Sequence, residues 1–574
     1  MKNKLQNLTV IILVFSMLIS ITACGGKKVT SSPSDATSSN ESSYNDTSSN
    51  EDVSSEPDVL EENSSSQQNN SSEDFNFNFD DSFFEEGPSN SSQQSTSSKQ
   101  EPDEDNENEE IYGSADIVDV NDRPYVKYPA YLEYPMKSNY DKQANALRDT
   151  ILSAKDKLPE TVTGTIWYVS NKGKNTNSGK SPKEAWGSIF AMSYNRDRIK
   201  AGDAVLFERG GVYRGKFTAR DGVYYGAYGE GEKPCIYGSS QNYAKVKWTY
   251  KNANIWVCDA PFSEDIGNIV FNHGEFMGFK KEKNYELENN GDFWCDSKNN
   301  YKLYMYMDEN PAKKYKSIEI STNTHIIRIN AGNKITIENL CLKYTGAHAI
   351  GCSTGSRNIT VKNCEIGFIG GCYLNNGLRF GNGIEFWQEC DNMLIENNWI
   401  YQIYDSGLTH QGGDSYIAKN IMMRNNLIEY CGLGSYEYWL SSEWNVCRGE
   451  NITFTENICR FAGYCWGGVQ RPDKVSTHIR ADVNCRNTVF DFKITNNIFD
   501  QASSNLVEIG GTAKNVSNIP QSPVPFLSGN TYAQKVNGYL GTYFAKAGIL
   551  FDEDRETFIK TYMGEKNAII YAYN

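Results

Sequence analysis

The sequence predicts a right-handed parallel β-helix carried outside the cell on a long polar stalk. Three observations predict it. A short strand pattern ending on Asn recurs through the second half, the N-terminus is built like an export signal, and residues 25–110 are almost empty of aliphatic side chains.

The chain opens on Met1-Lys2-Asn3-Lys4, continues through the apolar run Leu8 to Ile21, and closes on Thr22-Ala23-Cys24. A charged start, an apolar centre and a small-residue site make a secretory signal, read as residues 1–23. The run is shorter than the roughly 20 residues that span a bilayer, so it is not read as a transmembrane anchor. Because the small residues end on a cysteine, the site resembles a bacterial lipobox, with Ile21 where Leu is commoner. That resemblance implies a lipid on Cys24 and a mature protein held at the outer face of the cell membrane.

Residues 24–110 are dominated by Ser, Asn, Asp, Glu and Gln, which cannot bury enough surface to offset chain entropy, so they read as a disordered linker. The whole chain carries −16, but residues 25–110 hold 22 acids against 3 bases and the signal adds 2 Lys, which leaves +1 after residue 110. The acidity belongs to the stalk. A near-neutral working region with no basic patch argues against nucleic acid and weakly against a highly anionic polymer. Besides Cys24 there are thirteen cysteines, none in a C-x-x-C pair, so the usual zinc and redox spacings are missing and most read as small buried hydrophobes.

Six segments carry the repeat: Ile335-Thr-Ile-Glu-Asn339, Ile359-Thr-Val-Lys-Asn363, Met393-Leu-Ile-Glu-Asn397, Ile421-Met-Met-Arg-Asn425, Ile452-Thr-Phe-Thr-Glu456-Asn457 and Phe492-Lys-Ile-Thr-Asn496. Each is too short to bury a face alone, and the alternation has period two, so the units must stack as coils of parallel strands. An Asn at one position per coil tolerates left-handed backbone in a tight turn and can bond its copy in the next coil. An ordinary sandwich would repeat its strands every 8 to 12 residues.

On further residues the chain resembles secreted bacterial right-handed β-helix proteins of the pectate-lyase-like superfamily, in their lipoprotein form. The matching stretches are Trp167-Tyr-Val-Ser-Asn-Lys-Gly-Lys-Asn-Thr-Asn-Ser-Gly179, Ser181-Pro-Lys-Glu-Ala-Trp-Gly-Ser-Ile189 and Ala201-Gly-Asp-Ala-Val-Leu-Phe-Glu-Arg-Gly-Gly-Val-Tyr-Arg214, then Gly381-Asn-Gly-Ile-Glu385 and Tyr404-Asp-Ser-Gly-Leu-Thr-His-Gln411. The resemblance covers about residues 164–515 and implies the solenoid, but the fold hosts lyases, hydrolases, epimerases and binders. Residues 111–163 read as an N-terminal cap, with an amphipathic helix over Tyr140 to Leu158 closing the open first coil. Residues 516–574 read as the opposite cap, helical over Asp554 to Met563.

Counting twelve residues beyond each repeat Asn, with the insertion Gly371 to Phe380 allowed for, lines up Gly351, Glu385, Thr409, Glu437, Gly468 and Glu508. The preceding position is apolar, so alternation turns the carboxylate column outward. Paired carboxylates on one face suit acid and base catalysis, and Glu385, Asp405 and Glu437 are the catalytic candidates. Around them His410, Gln411, Tyr438, Trp439, Arg471 and His478 are the candidate substrate contacts, because aromatic faces stack on sugar rings and His or Arg binds hydroxyls and carboxylates. Trp444 and Trp466 join them, His348 reads equally as structural, and Trp399 reads as core. The excursions 371–380, 432–449 and 468–487 are expected to wall the groove.

The first functional reading is a glycoside hydrolase that needs no cofactor. The second is a polysaccharide lyase, with His410, Arg471 and Asp405 at work and calcium on acidic side chains. The third is a non-catalytic glycan binder or adhesin. The expected partner is a polysaccharide or oligosaccharide, and the protein reads as a monomer.

Overall fold

A computed structural model describes residues 137–374, 377–412, 417–440, 448–482, 489–510, 525–544, 546–552 and 554–574. The signal, Cys24, the stalk and Trp444 lie outside the described residues. From Ile166 onward the chain winds through three long sheets whose strands pair in parallel with the strand one coil away, apart from one antiparallel edge strand, Lys546–Leu550. Sheet 1 takes the strands that end on the repeat, such as Ser356–Lys362, Cys390–Glu396 and Ile417–Arg424. Sheet 2 takes the next strand of each coil, such as Glu365–Ile369, Trp399–Ile403 and Leu427–Cys431. Sheet 3 takes the third, such as Ile384–Trp387, Ser406–Gly412 and Gly434–Leu440. The interior is a continuous apolar stack running from Val205 through Ile337, Val361, Ile395, Met423 and Phe454 to Ile494.

The repeat position does adopt left-handed backbone, with φ of 58° at Asn339, 54° at Asn363, Asn397 and Asn425, 56° at Glu456 and 55° at Asn496. The buried hydrogen-bonded ladder, however, is the next residue along. Asn398, Asn426, Asn457, Asn497 and Asn530 are all fully buried, and each Nδ2 donates to the following Oδ1 at 3.0 Å, ending on Glu565 Oε1. Two adjacent columns share the work: one makes the bend, and the other saturates the amides the bend exposes.

Three parts differ from the sequence expectation. The helix α1 (Asp141–Leu152) does not cap the first coil but lies across the outer face of sheet 2. There Arg148 Nη2 meets Glu429 Oε2 at 2.8 Å and sits 4.8 Å over Trp399, while Arg460 pairs with Asp141 and, at 3.3 Å, with Glu429. Charge complementarity to a buried row on sheet 2 decides its place, which periodicity alone does not report. Next, an antiparallel module interrupts the coils, with strands Trp248–Asn252, Ile255–Cys258, Ile266–Phe271, Asp292–Cys295, Leu303–Tyr306 and Ile318–Thr322 and a core of its own around Ile269, Phe293 and Met305. Finally, the coils run past residue 515, since Thr531–Lys535 and Ile569–Tyr573 continue sheet 2.

Candidate active site

Sheet 3 positions the site. Its interior row Ile350, Ile384, Leu408, Tyr436, Ile479 and Val507 is buried in the solenoid core, so the neighbouring residues must point out. In register those neighbours are Gly351, Glu385, Thr409, Glu437, Arg480 and Glu508. Arg480 stands where counting expects Gly468, because the excursion holding the short helix Trp466–Gln470 lengthens that coil. The cation between Glu437 and Glu508 went unseen for that reason alone.

Although outward, Glu385 and Glu437 are each only 6 % exposed and Thr409 is fully buried. Burial pushes the Glu385 carboxyl up to about 8, with the Glu437 charge adding to the rise and Asn382 Nδ2, donating to Oε2 at 2.6 Å, opposing it. His348 Nδ1 lies 3.5 Å from the same Oε2 while already accepting the Asn382 backbone N–H at 2.9 Å. Burial holds that imidazole at about 3, so it is neutral. Two lone-pair atoms facing each other favour a proton on the carboxyl. Glu437 is also raised by burial, but Arg480 draws it down, as do Gln411 Nε2 at 2.9 Å and Thr409 Oγ1 at 3.4 Å, both donating to Oε2. Burial thus raises both carboxyls, and among the described residues Glu437 has two side-chain donors and the charge of a guanidinium set against the rise, where Glu385 has the one donor Asn382. Adjacent coils lie about 4.8 Å apart, which puts the two backbones about 9–10 Å apart.

The other candidates divide. Gln411 faces outward onto Glu437, and Trp439 is outward and 39 % exposed. Trp387 is their register partner, so Trp387, Gln411 and Trp439 form a row beside the carboxylates. Alternation two residues on from each Glu was enough to find Trp387. His410 and Tyr438 belong instead to the interior. Their rings meet at 5.7 Å, both are fully buried, and burial takes His410 down to about 4. They follow an outward residue, so parity turns them in. His478 is likewise buried, bonds Ser435 Oγ at 3.1 Å and stacks on Phe499. Asp405 precedes the sheet 3 strand at the corner from sheet 2, where it pairs with Arg471 and accepts the Gly381 N–H at 2.9 Å, while Arg471 also holds Asp473 at 2.9 Å. That ion pair fastens the corner rather than joining the column. Trp466 is fully buried, with Nε1 on the Gln402 carbonyl, and Trp399 is buried under α1. Among the excursions, Cys372–Tyr373 and Arg379–Phe380 pair as a small antiparallel ribbon at the corner, whereas 434–440 is itself a sheet 3 strand. Among the described residues no three His, Cys, Asp or Glu side chains gather as a metal site.

No protein-family model and no curated protein matches the chain. Among solved structures it is similar to a GH136 lacto-N-biosidase from Eubacterium ramulus, at 13 % identity and TM-score 0.34, covering 76 % of this chain and 70 % of that one. It is also similar to pectate lyase Pel9A, at 10 % and 0.35 over 68 % and 73 %, and to a Family 28 exopolygalacturonase of Yersinia enterocolitica, at 13 % and 0.33 over 66 % and 73 %. Likenesses this distant decide nothing about chemistry, and the three parallel sheets carry the architecture. The fold is a parallel β-helix. In such a β-helix the reaction has to be argued from the site, and here the site is the outward row of sheet 3.

Proposed function

We propose that this β-helix hydrolyses glycosidic bonds with Glu385 as general acid and Glu437 as general base. The observation that carries the reading is the placement of two buried carboxyls two coils apart on one face, both raised by burial, with a guanidinium's charge set against the rise at Glu437. Glu385 gives its proton to the leaving glycosidic oxygen as the C–O bond breaks. Glu437 takes a proton from the water whose oxygen bonds the anomeric carbon. The carboxyls of inverting enzymes stand about 6.5–9.5 Å apart, which side chains converging from a backbone gap of about 9–10 Å satisfy, so inversion is the expected outcome. Thr409, between the two glutamates, is small enough to leave that water room. The two bases expected for a lyase are not placed for that role, since His410 is interior and Arg471 is tied to Asp405 and Asp473. Three glutamates against two arginines, Arg328 and Arg480, leave the row without a net positive charge, which favours a neutral glycan.

The soluble domain, incubated with a panel of neutral polysaccharides and oligosaccharides, is expected to give products heavier by one water. Products carrying a double bond would point to the lyase, and tight binding without products to the adhesin. A raised carboxyl also makes a stability prediction. Glu385 binds its proton more tightly folded than unfolded, so its contribution is whole below its ordinary 4.5 and is lost as pH rises through about 8. Glu385→Gln should therefore melt with the wild type near pH 4.5 and above it at pH 9. Equal melting at both pH values would remove the protonated acid from the mechanism.

We further propose that the enzyme is displayed at the outer face of the cell membrane through a lipid on Cys24. Cys24→Ala expressed in a bacterial host should shift the protein out of the detergent phase on fractionation. Retention there would contradict the anchor.

A further inference from the structure

We propose that the site accepts the end of a glycan chain, stopped on the N-terminal side of Glu385 by His325, His348 and Phe380 and continuing along Trp387, Gln411 and Trp439 toward the C-terminal coils. The proposal rests on the hydrolase reading and adds to it the mode of attack.

The two sides of Glu385 differ sharply. One coil toward the N-terminus, the outward position is Gly351, and a Cβ built there would lie 2.8 Å from His325 Nδ1 and 3.1 Å from its Cε1. The imidazole occupies the space in which a groove floor would otherwise continue. His325 stacks on His348 at 5.0 Å and 29°, and His348 meets the edge of Phe380 at 5.2 Å and 72°. The three rings come from three separate places: the turn before strand Ile327–Ile329, the turn before strand Ile350–Cys352, and the ribbon Cys372–Phe380. Burial keeps both imidazoles neutral at physiological pH. A wall of neutral rings gives a terminal sugar an apolar surface to abut.

Toward the C-terminus the row carries two indole rings. Trp387 and Trp439 lie two residues beyond Glu385 and Glu437 on the same strands, about 6.5–7 Å along, and about 10 Å from each other across Gln411. Aromatic faces at that interval suit every second ring of a glycan laid parallel to the solenoid axis, with Gln411 facing the ring between. A groove for internal cleavage needs room on both sides of the acid. This one has a stop on one side and platforms on the other.

Two probes separate the modes: nitrophenyl glycosides of mono- and disaccharides, which present only a chain end, and dyed cross-linked neutral polysaccharides, which release colour only on internal cuts. The wild type is expected to free nitrophenol from at least one glycoside, to release no dye, and to give one short product from the first time point on a linear oligosaccharide. His325→Ala, checked by melting, is expected to shift the products toward longer fragments, and Phe380→Ala to do the same if the first variant does not fold. Dye release by the wild type, or an unchanged product spectrum in a folded wall variant, would overturn the chain-end reading and leave the hydrolase standing. Silence on both probes would remove the hydrolase itself, and this inference with it.

Discussion

Glu385→Gln and Glu437→Gln should each lower kcat by about 10²–10⁴-fold, the range that a positioned acid or base contributes. The amide keeps the shape of the side chain, and neither site is held by a salt bridge whose loss would unfold the coil, so the variants should fold. The two losses should differ in form. Without the acid, an activated leaving group such as nitrophenolate needs little protonation, so Glu385→Gln should retain much more activity on a nitrophenyl glycoside than on a natural linkage. Glu437→Gln should be equally impaired on both, and added azide should restore turnover by replacing the activated water. The double variant should be little worse than the weaker single, because the two carboxyls act as one unit. A kcat within tenfold of wild type for either variant on the natural linkage would place the chemistry elsewhere. Asp405→Asn is the control: it should weaken the Arg471 corner and melt earlier while keeping the pH profile.

Asn457→Ala is the second large effect, and it falls on stability. Asn457 Nδ2 donates to the Met423 carbonyl at 3.1 Å and to Asn497 Oδ1 at 3.0 Å, while its Oδ1 receives both the backbone N–H and the Nδ2 of Asn426 at 3.0 Å. Removing it leaves two or three buried polar groups without partners, at roughly 1–3 kcal/mol each, for a total of about 3–6 kcal/mol. Glu456→Ala, one residue earlier, tests the division of labour between the two columns. Glu456 already carries the strain of a non-glycine residue held at φ 56°, so Glu456→Ala should cost little, and Glu456→Gly or Glu456→Asn should be neutral or stabilising. Chemical denaturation of the three variants would order them. If Asn457→Ala proved as mild as Glu456→Gly, the ladder would not be the element that holds the coils in register.

The solenoid was legible because its signal repeats. Period-two alternation and an Asn per coil recur in six segments, and stacking is the only way such short strands can bury a face. The outward glutamates were legible for the same reason, since register carries parity from coil to coil. What failed was information that does not repeat. His410, Tyr438 and His478 were chosen by residue type, although parity already placed His410 and Tyr438 inside. Arg480 was hidden by one long excursion. Asp405 looked like a third carboxylate until its partner Arg471, far along the chain, was found beside it. The antiparallel module left no mark, because its strands alternate as the coils do and lack only the Asn. Which of two adjacent asparagines is buried is likewise invisible to pattern, since Asn397 and Asn398 differ only in which way the bend turns them.

The helix laid across sheet 2 changes how the molecule bears force. Ser138 bonds Asp500, Asp141 bonds Arg460 and Arg148 bonds Glu429, so the chain joins the solenoid at its flank, on strands far from the first coil. Tension applied at Lys137 would therefore load two ion pairs and one hydrogen bond in parallel on sheet 2. Pulled from its first strand, a solenoid would peel one turn after another. Held by its side, it would keep every turn wound under the same load.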